Sequence, residues 1–429
     1  MDLKDKKLLI MGGNPDSIAL VETANRLGVH TIVTSYLPDD KAKKVASESF
    51  EVDGMDVEGL VALAKRENVD GVMVGVADPL IPHYYQVCTA LNLPCYAPSQ
   101  TTVDVFSNKV TFKAKCEEYG IRGVPEYYLD EKMDPKDMEK IKYPAVVKPV
   151  DGRSSTGVTI CYTEKELRNA VEKALAASNQ KRFIIEKFMD CDDVGMYYTF
   201  KDGICSLSAM WDTYREDEQV NSSRITLSSI YPSVHLQRYF DHMHQNVCRM
   251  FSDLGIKNGI VQLAMFYEDG EFYVFDPGFR LQGGAPNHLI KAINGFDQLE
   301  MMIRFALTGS GGDFDLHSVD DPYLKGKAAA NLWFILKKGI IGKISGLEEA
   351  AKDPKVVYIV KRFDEGDEVF DSYLGTEKQV CAKLFVVCDS RHELAETLKH
   401  YVNTIKVTDK DGNNMLLKGL DVDNVPVLK

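Results

Sequence analysis

Nowhere does this chain carry an apolar run near the roughly 18 residues that a bilayer-spanning helix needs, so no membrane partner is expected. The first residues, MDLKDKKLLIMGG, pass from charge straight into a short apolar stretch. They lack the apolar core and small-residue cleavage site of a secretory signal, and a cytoplasmic location is the expectation. Cysteine is scattered rather than patterned. Cys88, Cys95, Cys116, Cys161, Cys191, Cys205, Cys248, Cys381 and Cys388 form no CxxC pair, which argues against a disulfide framework and against a cysteine zinc site. Most of them read as small buried hydrophobes. Positive charge is in deficit, 51 Lys and Arg against 64 Asp and Glu for a net −13. That excludes a general nucleic-acid surface while leaving room for a local basic pocket. Gly12-Gly13 follows the first strand pattern where a dinucleotide site would need GxGxxG, and no acid closes a ribose site on the second strand. The P-loop pattern GxxxxGK[ST] is absent, as is any convincing Ser/His/Asp or Cys/His set.

What is present is a chain of 429 residues with 45% apolar content, long enough for two or three cores. Residues 1–105 alternate strand patterns (7–11, 31–35, 71–76) with helical ones (17–27, 60–67, 81–91), which predicts a parallel sheet wrapped by helices. The strand ends near Gly13 and Asp78 form either a crevice for a small substrate or a packing face for the next domain. Beyond residue 105 the pattern changes to α+β. One helix is expected over residues 106–119, then strands at 143–150, 159–162 and 183–188, a helix at 164–177, and a hairpin turning at Asp202-Gly203. After Gly309-Ser310-Gly311-Gly312, strands at 328–336, 356–362 and 383–387 and a helix at 391–404 suggest a β-rich cap.

The most informative stretch is GIVQLAMFYEDGEFYVFDPGFRLQGG, from Gly259 to Gly284. It alternates apolar and polar residues about Glu268-Asp269-Gly270 and reads as a β-hairpin. Residues two apart on a strand share a face, so Asp276, position 278 and Arg280 line one side, with Gln262 on the partner strand. A carboxylate, an amide oxygen and a guanidinium converging there suit a magnesium–phosphate complex, since magnesium takes hard oxygens and arginine grips phosphate in a fork. Lys148 ends the apolar strand Ala145-Val146-Val147, and its ammonium needs an anion. The loop DGRSSTG that follows could fold its amides over phosphates, and by itself also fits a plain turn. Lys109 opens a helix, where the dipole disfavours a cation unless it serves something else. Glu186 ends a strand whose edge could pair with an adenine ring, and Asp193 could accept ribose hydroxyls.

Taken in order, these elements resemble the ATP-grasp superfamily over about residues 100–310. The pattern is most similar to the carbamoyl-phosphate-synthetase and biotin-carboxylase branch and to amino-acid ligases. The segments Gly339-Ile340-Ile341 and Ile344-Ser345-Gly346-Leu347-Glu348 are similar to the carboxy-terminal domain of that branch. The resemblance implies an amino-terminal Rossmann-like (pre-ATP-grasp) domain at 1–105 and a central two-lobed ATP-grasp domain at 106–310, its lid at about 115–185. A small β-rich carboxy-terminal domain would occupy 311–429.

Carried onto this sequence, the resemblance implies that Lys109 and Lys148 contact the phosphates of ATP. Asp151, Gly152, Arg153, Ser154, Ser155, Thr156 and Gly157 would form a mobile phosphate lid. Glu186, with the backbone near Phe188, would hold adenine, and Asp193 the ribose. Gln262 and Asp276 would bind Mg2+, or Mn2+ in its place, and Arg280 the acyl phosphate, with Arg280 and Lys148 as the catalytic pair. Two departures stand out: Gly278 occupies the position of the usual asparagine, and Asp276 that of a longer glutamate. Magnesium tolerates water in its shell, so water filling the vacant position is the expectation, ahead of a loosely held second metal or loss of turnover.

The implied activity is an ATP-dependent carboxylate–amine ligase. It would act on a small-molecule carboxylate and an amine through an acyl phosphate and release ADP and phosphate. The oligomeric state is not readable from the sequence, although the relatives' frequent dimers make a homodimer possible. Bicarbonate activation, or nucleotide binding without turnover, are the alternatives. The segment from residue 210 to 232, with Arg215 and Arg224, either reaches into the cleft or lies on the surface. His235, His242 and His244 read as ordinary helix residues, and His288 has no assigned role.

Overall fold

The computed structural model describes residues 2–130, 133–151, 157–216 and 225–428. Three sheets position everything that follows. The amino-terminal sheet has the order Glu48–Phe50, His30–Thr34, Lys7–Met11, Gly71–Val74, all parallel, with helices Ile18–Arg26 and Val57–Glu67 connecting strands and Ile81–Leu91 following the last. The chain runs outward from Lys7–Met11 on one side and crosses to Gly71–Val74 on the other. The crevice at the strands' carboxyl ends, where Gly12-Gly13 and Asp78 stand, is therefore the topological switch point of this sheet, the usual ligand position in open α/β sheets.

A second, antiparallel sheet of four strands has the order Glu126–Tyr127, Phe183–Lys187, Ala145–Pro149, Thr159–Cys161. Helix Glu164–Ala177 covers it. Thr163 caps the first turn, its side chain accepting from the Glu166 amide, and Leu167, Ala170, Val171 and Ala174 recur at helical spacing to close a small core of their own.

The third sheet has eight strands, in the order Glu271–Gly278, Gly259–Glu268, Asp192–Lys201, Ile204–Arg215, Thr226–Tyr231, Ala328–Ile335, Val380–Cys388, Val356–Lys361. The boundary read at residue 310 is thus crossed by one continuous sheet, because Thr226–Tyr231 pairs directly with Ala328–Ile335. Two hairpin turns in this sheet are local in origin. Asp202 and Gly203 (φ 53° and 86°) and Asp269 and Gly270 (φ 52° and 88°) adopt the positive φ values that suit the twist of tightly connected strands. One apolar core joins the amino-terminal sheet to the hairpin strands, and a second fills the carboxy-terminal region. Among the described residues no helix is long and apolar enough to cross a membrane.

The single helix expected over residues 106–119 is two. Gln100–Ser107 stops at Asn108 (φ −134°), and Lys109–Glu118 starts beyond it. Asn108 is the reason: its side-chain oxygen accepts from the amides of Val110 and Thr111 at 2.9 and 3.2 Å, capping the second helix and stopping the first.

Candidate active site

The hairpin Gly259–Gly278 forms one edge of the large sheet, and its register determines what faces what. Gln262 lies opposite Gly278, and Asp276 lies opposite Ala264. Gln262 and Asp276 are diagonal neighbours on one face rather than a direct pair, a spacing still within reach of long side chains. A bulge after Ala264 shifts the register toward the turn. A side chain added at Gly278 would begin 3.7 Å from Asp78 Oδ1 and 3.8 Å from Gln262 Oε1, so the space left by the absent asparagine is bounded by two oxygen donors from different parts of the chain. The donor set of Gln262, Asp276 and Asp78 is all hard oxygen and fits magnesium.

Lys109 reaches this face from the start of its helix and pairs with Asp276. Burial, with the Lys148 ammonium adding to it, pulls Lys109 down to about 7. The helix is held in place because the Lys109 amide donates to the Val150 carbonyl at 3.3 Å, joining it to the end of the Lys148 strand. One turn on, Lys113 lies between Glu126, at 2.6 Å, and Glu186. Lys148 Nζ meets the other Glu186 oxygen at 2.7 Å. Glu186 is therefore a buried carboxylate between two lysines. Burial works to raise its pKa, but Lys148 and Lys113 outweigh that and hold it below the usual carboxylate range. For Lys148 burial prevails over Glu186 and lowers its pKa.

This arrangement revises the edge reading of Glu186. Its strand is flanked on both sides, by Glu126–Tyr127 and Ala145–Pro149, so it is not a sheet edge. The Phe188 amide donates to the Pro144 carbonyl at 3.3 Å. Asp193 is bound by Arg215, at 2.6 Å to Nη2, which places Arg215 on the large sheet rather than free in a cleft. Asp151 is also engaged: Ser178 Oγ donates to it at 2.6 Å and the Asn179 amide at 3.0 Å, tying the loop to the end of helix Glu164–Ala177. Gly157 has φ +74°, and a Cβ there would stand 2.7 Å from that of Ala177, so the loop's exit requires glycine. Gly152, Arg153, Ser154, Ser155, Thr156 and Arg224 lie outside the described residues.

Arg280 stands just past the end of its strand and bridges to the amino-terminal sheet. Nη2 pairs with Asp78 Oδ2, and Nη1 donates to the Leu281 carbonyl at 2.6 Å. Of the two readings at Asp78 the structure shows the packing face: the acid packs against the hairpin region through Arg280, at the carboxyl end of the parallel sheet. Sequence reading passed over a second set beside it. Arg362 pairs with Asp16 and donates through Nη1 to the Glu377 carbonyl at 2.7 Å. Fully buried Lys383 donates to the Gly283 carbonyl at 2.7 Å, approaches Asp16 at 3.5 Å and lies 4.2 Å over the Trp333 ring. Burial, with the Arg362 charge adding to it, lowers Lys383 to about 8. Asp16 after the first strand, the glycine run after Arg280 and two cations of the carboxy-terminal region thus meet in one buried cluster. Lys113 alone carried a local signal, its spacing of four from Lys109. His288 is a buried ring stacked on Tyr358 at 3.6 Å, and burial lowers it to about 3, which suits a neutral packing residue.

The family profile for the D-ala D-ala ligase C-terminus matches residues 125–203. A formate-dependent phosphoribosylglycinamide formyltransferase of Methanocaldococcus jannaschii is 24% identical over 193 residues, 43% of this chain and 48% of that protein. The chain thus spans about half the length of the curated relatives it matches. Among solved structures, the L-amino acid ligase from Bacillus licheniformis superposes with a TM-score of 0.77 at 20% identity, covering 95% of this chain and 99% of that one. The biotin carboxylase domain of the Hydrogenobacter thermophilus 2-oxoglutarate carboxylase, solved with MgADP and bicarbonate, gives 0.76 at 16% identity over 94% of this chain and 90% of that one.

Proposed function

The chain has the ATP-grasp fold, and on that premise we propose that it is an ATP- and magnesium-dependent carboxylate–amine ligase acting through an acyl phosphate. The observation that carries the reading is Gln262 and Asp276 as diagonal neighbours on one hairpin face, with Lys109 paired to Asp276, Lys148 close enough to act on Lys109, and Arg280 just beyond the same strand. Lys109 and Lys148 hold the nucleotide's phosphates. Gln262 and Asp276 hold the magnesium, which when bound supplies charge neutralisation on the transferring phosphoryl group. Asp78 Oδ1, facing the space over Gly278, offers a further oxygen in place of the missing asparagine.

The protein's own part is positioning. Lys148 is oriented by Glu186, and Glu186 by Lys113, so the strand-end ammonium is aimed before nucleotide arrives. Arg280, steered by Asp78, holds the carboxylate that becomes the acyl phosphate. The amine then attacks the acyl carbon, phosphate leaves, and no side chain needs to be a nucleophile.

Hydroxylamine in place of the amine tests the intermediate. With ATP, magnesium and the accepted carboxylate, a hydroxamate of that acid should accumulate and be seen by mass spectrometry. Coupling to an amine without any hydroxamate would overturn the acyl phosphate. ADP release stimulated by bicarbonate alone would instead favour carboxyphosphate chemistry.

A further inference from the structure

Two of the cysteines that read as buried filler touch each other. Cys205, near the start of strand Ile204–Arg215, and Cys248, on helix Gln245–Asp253, have sulfurs 3.1 Å apart. Both are free thiols and half-buried rather than sealed in the core. His244 lies one helical turn before Cys248, its Nε2 3.6 Å from that sulfur. The imidazole is held in place by the Tyr198 hydroxyl at 3.1 Å from Nδ1, which in turn lies 2.9 Å from the Tyr239 hydroxyl. The helix carries a π turn over Phe240–His244, the irregularity that directly precedes Gln245–Asp253 and ends at His244.

We propose that Cys205 and Cys248 form a reversible redox pair, with Cys248 the attacking thiolate, Cys205 the resolving thiol and His244 the group that holds the thiolate. With Tyr198 donating to Nδ1, the Nε2 hydrogen is left to donate to sulfur. The Cys205 thiol donating to Cys248, and then His244, hold Cys248 down to about 5 against the opposing effect of burial, while Cys205 is raised. The oxidant is a hydroperoxide. The Cys248 thiolate attacks its terminal oxygen, the O–O bond breaks, and one water (or alcohol) leaves with a proton, giving the sulfenic acid. Cys205 then attacks the Cys248 sulfur, hydroxide leaves and takes the Cys205 proton as a second water, and the disulfide forms. Two thiols and one peroxide thus give one disulfide and two waters. A dithiol reverses it. The link would fasten the strand beginning at Ile204 to the helix that leads, through Gly255, into the Gln262 strand.

Graded hydrogen peroxide on the full chain, followed by maleimide blocking and peptide mapping, tests this without any variant. Cys205 and Cys248 should lose maleimide label together and before every other cysteine. They should yield one cross-linked peptide lighter by two hydrogens, and dithiothreitol should restore both labels. In Cys205→Ser the cross-link should vanish and dimedone should trap Cys248. Cys248 retaining its label at doses that oxidise other cysteines would overturn the pair. So would a Cys248 sulfenate in the wild-type chain with Cys205 still labelled.

Discussion

Asp276→Ala is expected to abolish ATP turnover, a fall of about 10³-fold or more if the metal supplies several kcal/mol to phosphoryl transfer. The same substitution makes a second, opposite prediction. In the chain as it stands Asp276 pairs with Lys109, so the carboxylate competes with the nucleotide's phosphates for that ammonium. Removing it should weaken nucleotide binding when magnesium is present, yet leave it as tight or tighter when magnesium is chelated. Titration calorimetry with ADP, with and without EDTA, reads both arms. Near-normal turnover in this variant would sink the metal assignment. A loss of affinity equal in both arms would make Asp276 a residue that merely holds Lys109 in place.

How much of this site could be read from the sequence follows from how local each signal is. The Gly259–Gly278 hairpin was legible because its turn residues and its period-two alternation are contained in one stretch, and the structure keeps the strands and the turn where the pattern puts them. Helix Glu164–Ala177 was legible for the same reason. The partners of the charged residues were not. Lys109 and Asp276 are 167 residues apart, Asp78 and Arg280 are 202 apart, and Asp16 and Arg362 are 346 apart. Hydrophobic period says which face of an element is buried. It does not say which element packs there, so the strand pattern at residues 328–336 carried no hint that it pairs with Thr226–Tyr231 into one sheet. Asn108 is a different kind of miss. Its capping chemistry was in plain view, but the apolar spacing of the flanking segments ran on through it and the longer helix looked uniform.

Buried charge explains why the partners of Glu186, in the four-stranded antiparallel sheet, were not legible. A lone glutamate at the end of an apolar strand suggested a free sheet edge, whereas Lys113, Glu186 and Lys148 pair with one another inside. Such a triad is a poor source of stability, because desolvation offsets most of the attraction. On the proposed reading its worth would lie in holding the Lys148 ammonium in place for a phosphate contact.

Arg280→Ala should cost about 10²–10³-fold in product formation, the scale seen when one donor to a developing charge is lost. Nucleotide affinity should stay near that of the parent chain, since Lys109, Lys148 and the hairpin oxygens are untouched. The two measurements separate a role at the reacting carboxylate from a structural one, and a collapse of nucleotide binding would assign Arg280 to structure. Arg280→Lys sharpens the test. It keeps the charge beside Asp78 but loses the planar fork that serves Asp78, the Leu281 carbonyl and a substrate at once. If Arg280 only neutralises Asp78, lysine should restore the wild-type rate. If it holds the acyl phosphate through the fork, lysine should recover stability while the rate stays low. Asp78→Asn closes the argument from the other side: it releases Arg280 without removing it. A rise in KM for the carboxylate with a smaller change in kcat would mean that Asp78 steers the guanidinium toward substrate. An unchanged KM would mean that the pair serves only to dock the amino-terminal sheet onto the hairpin.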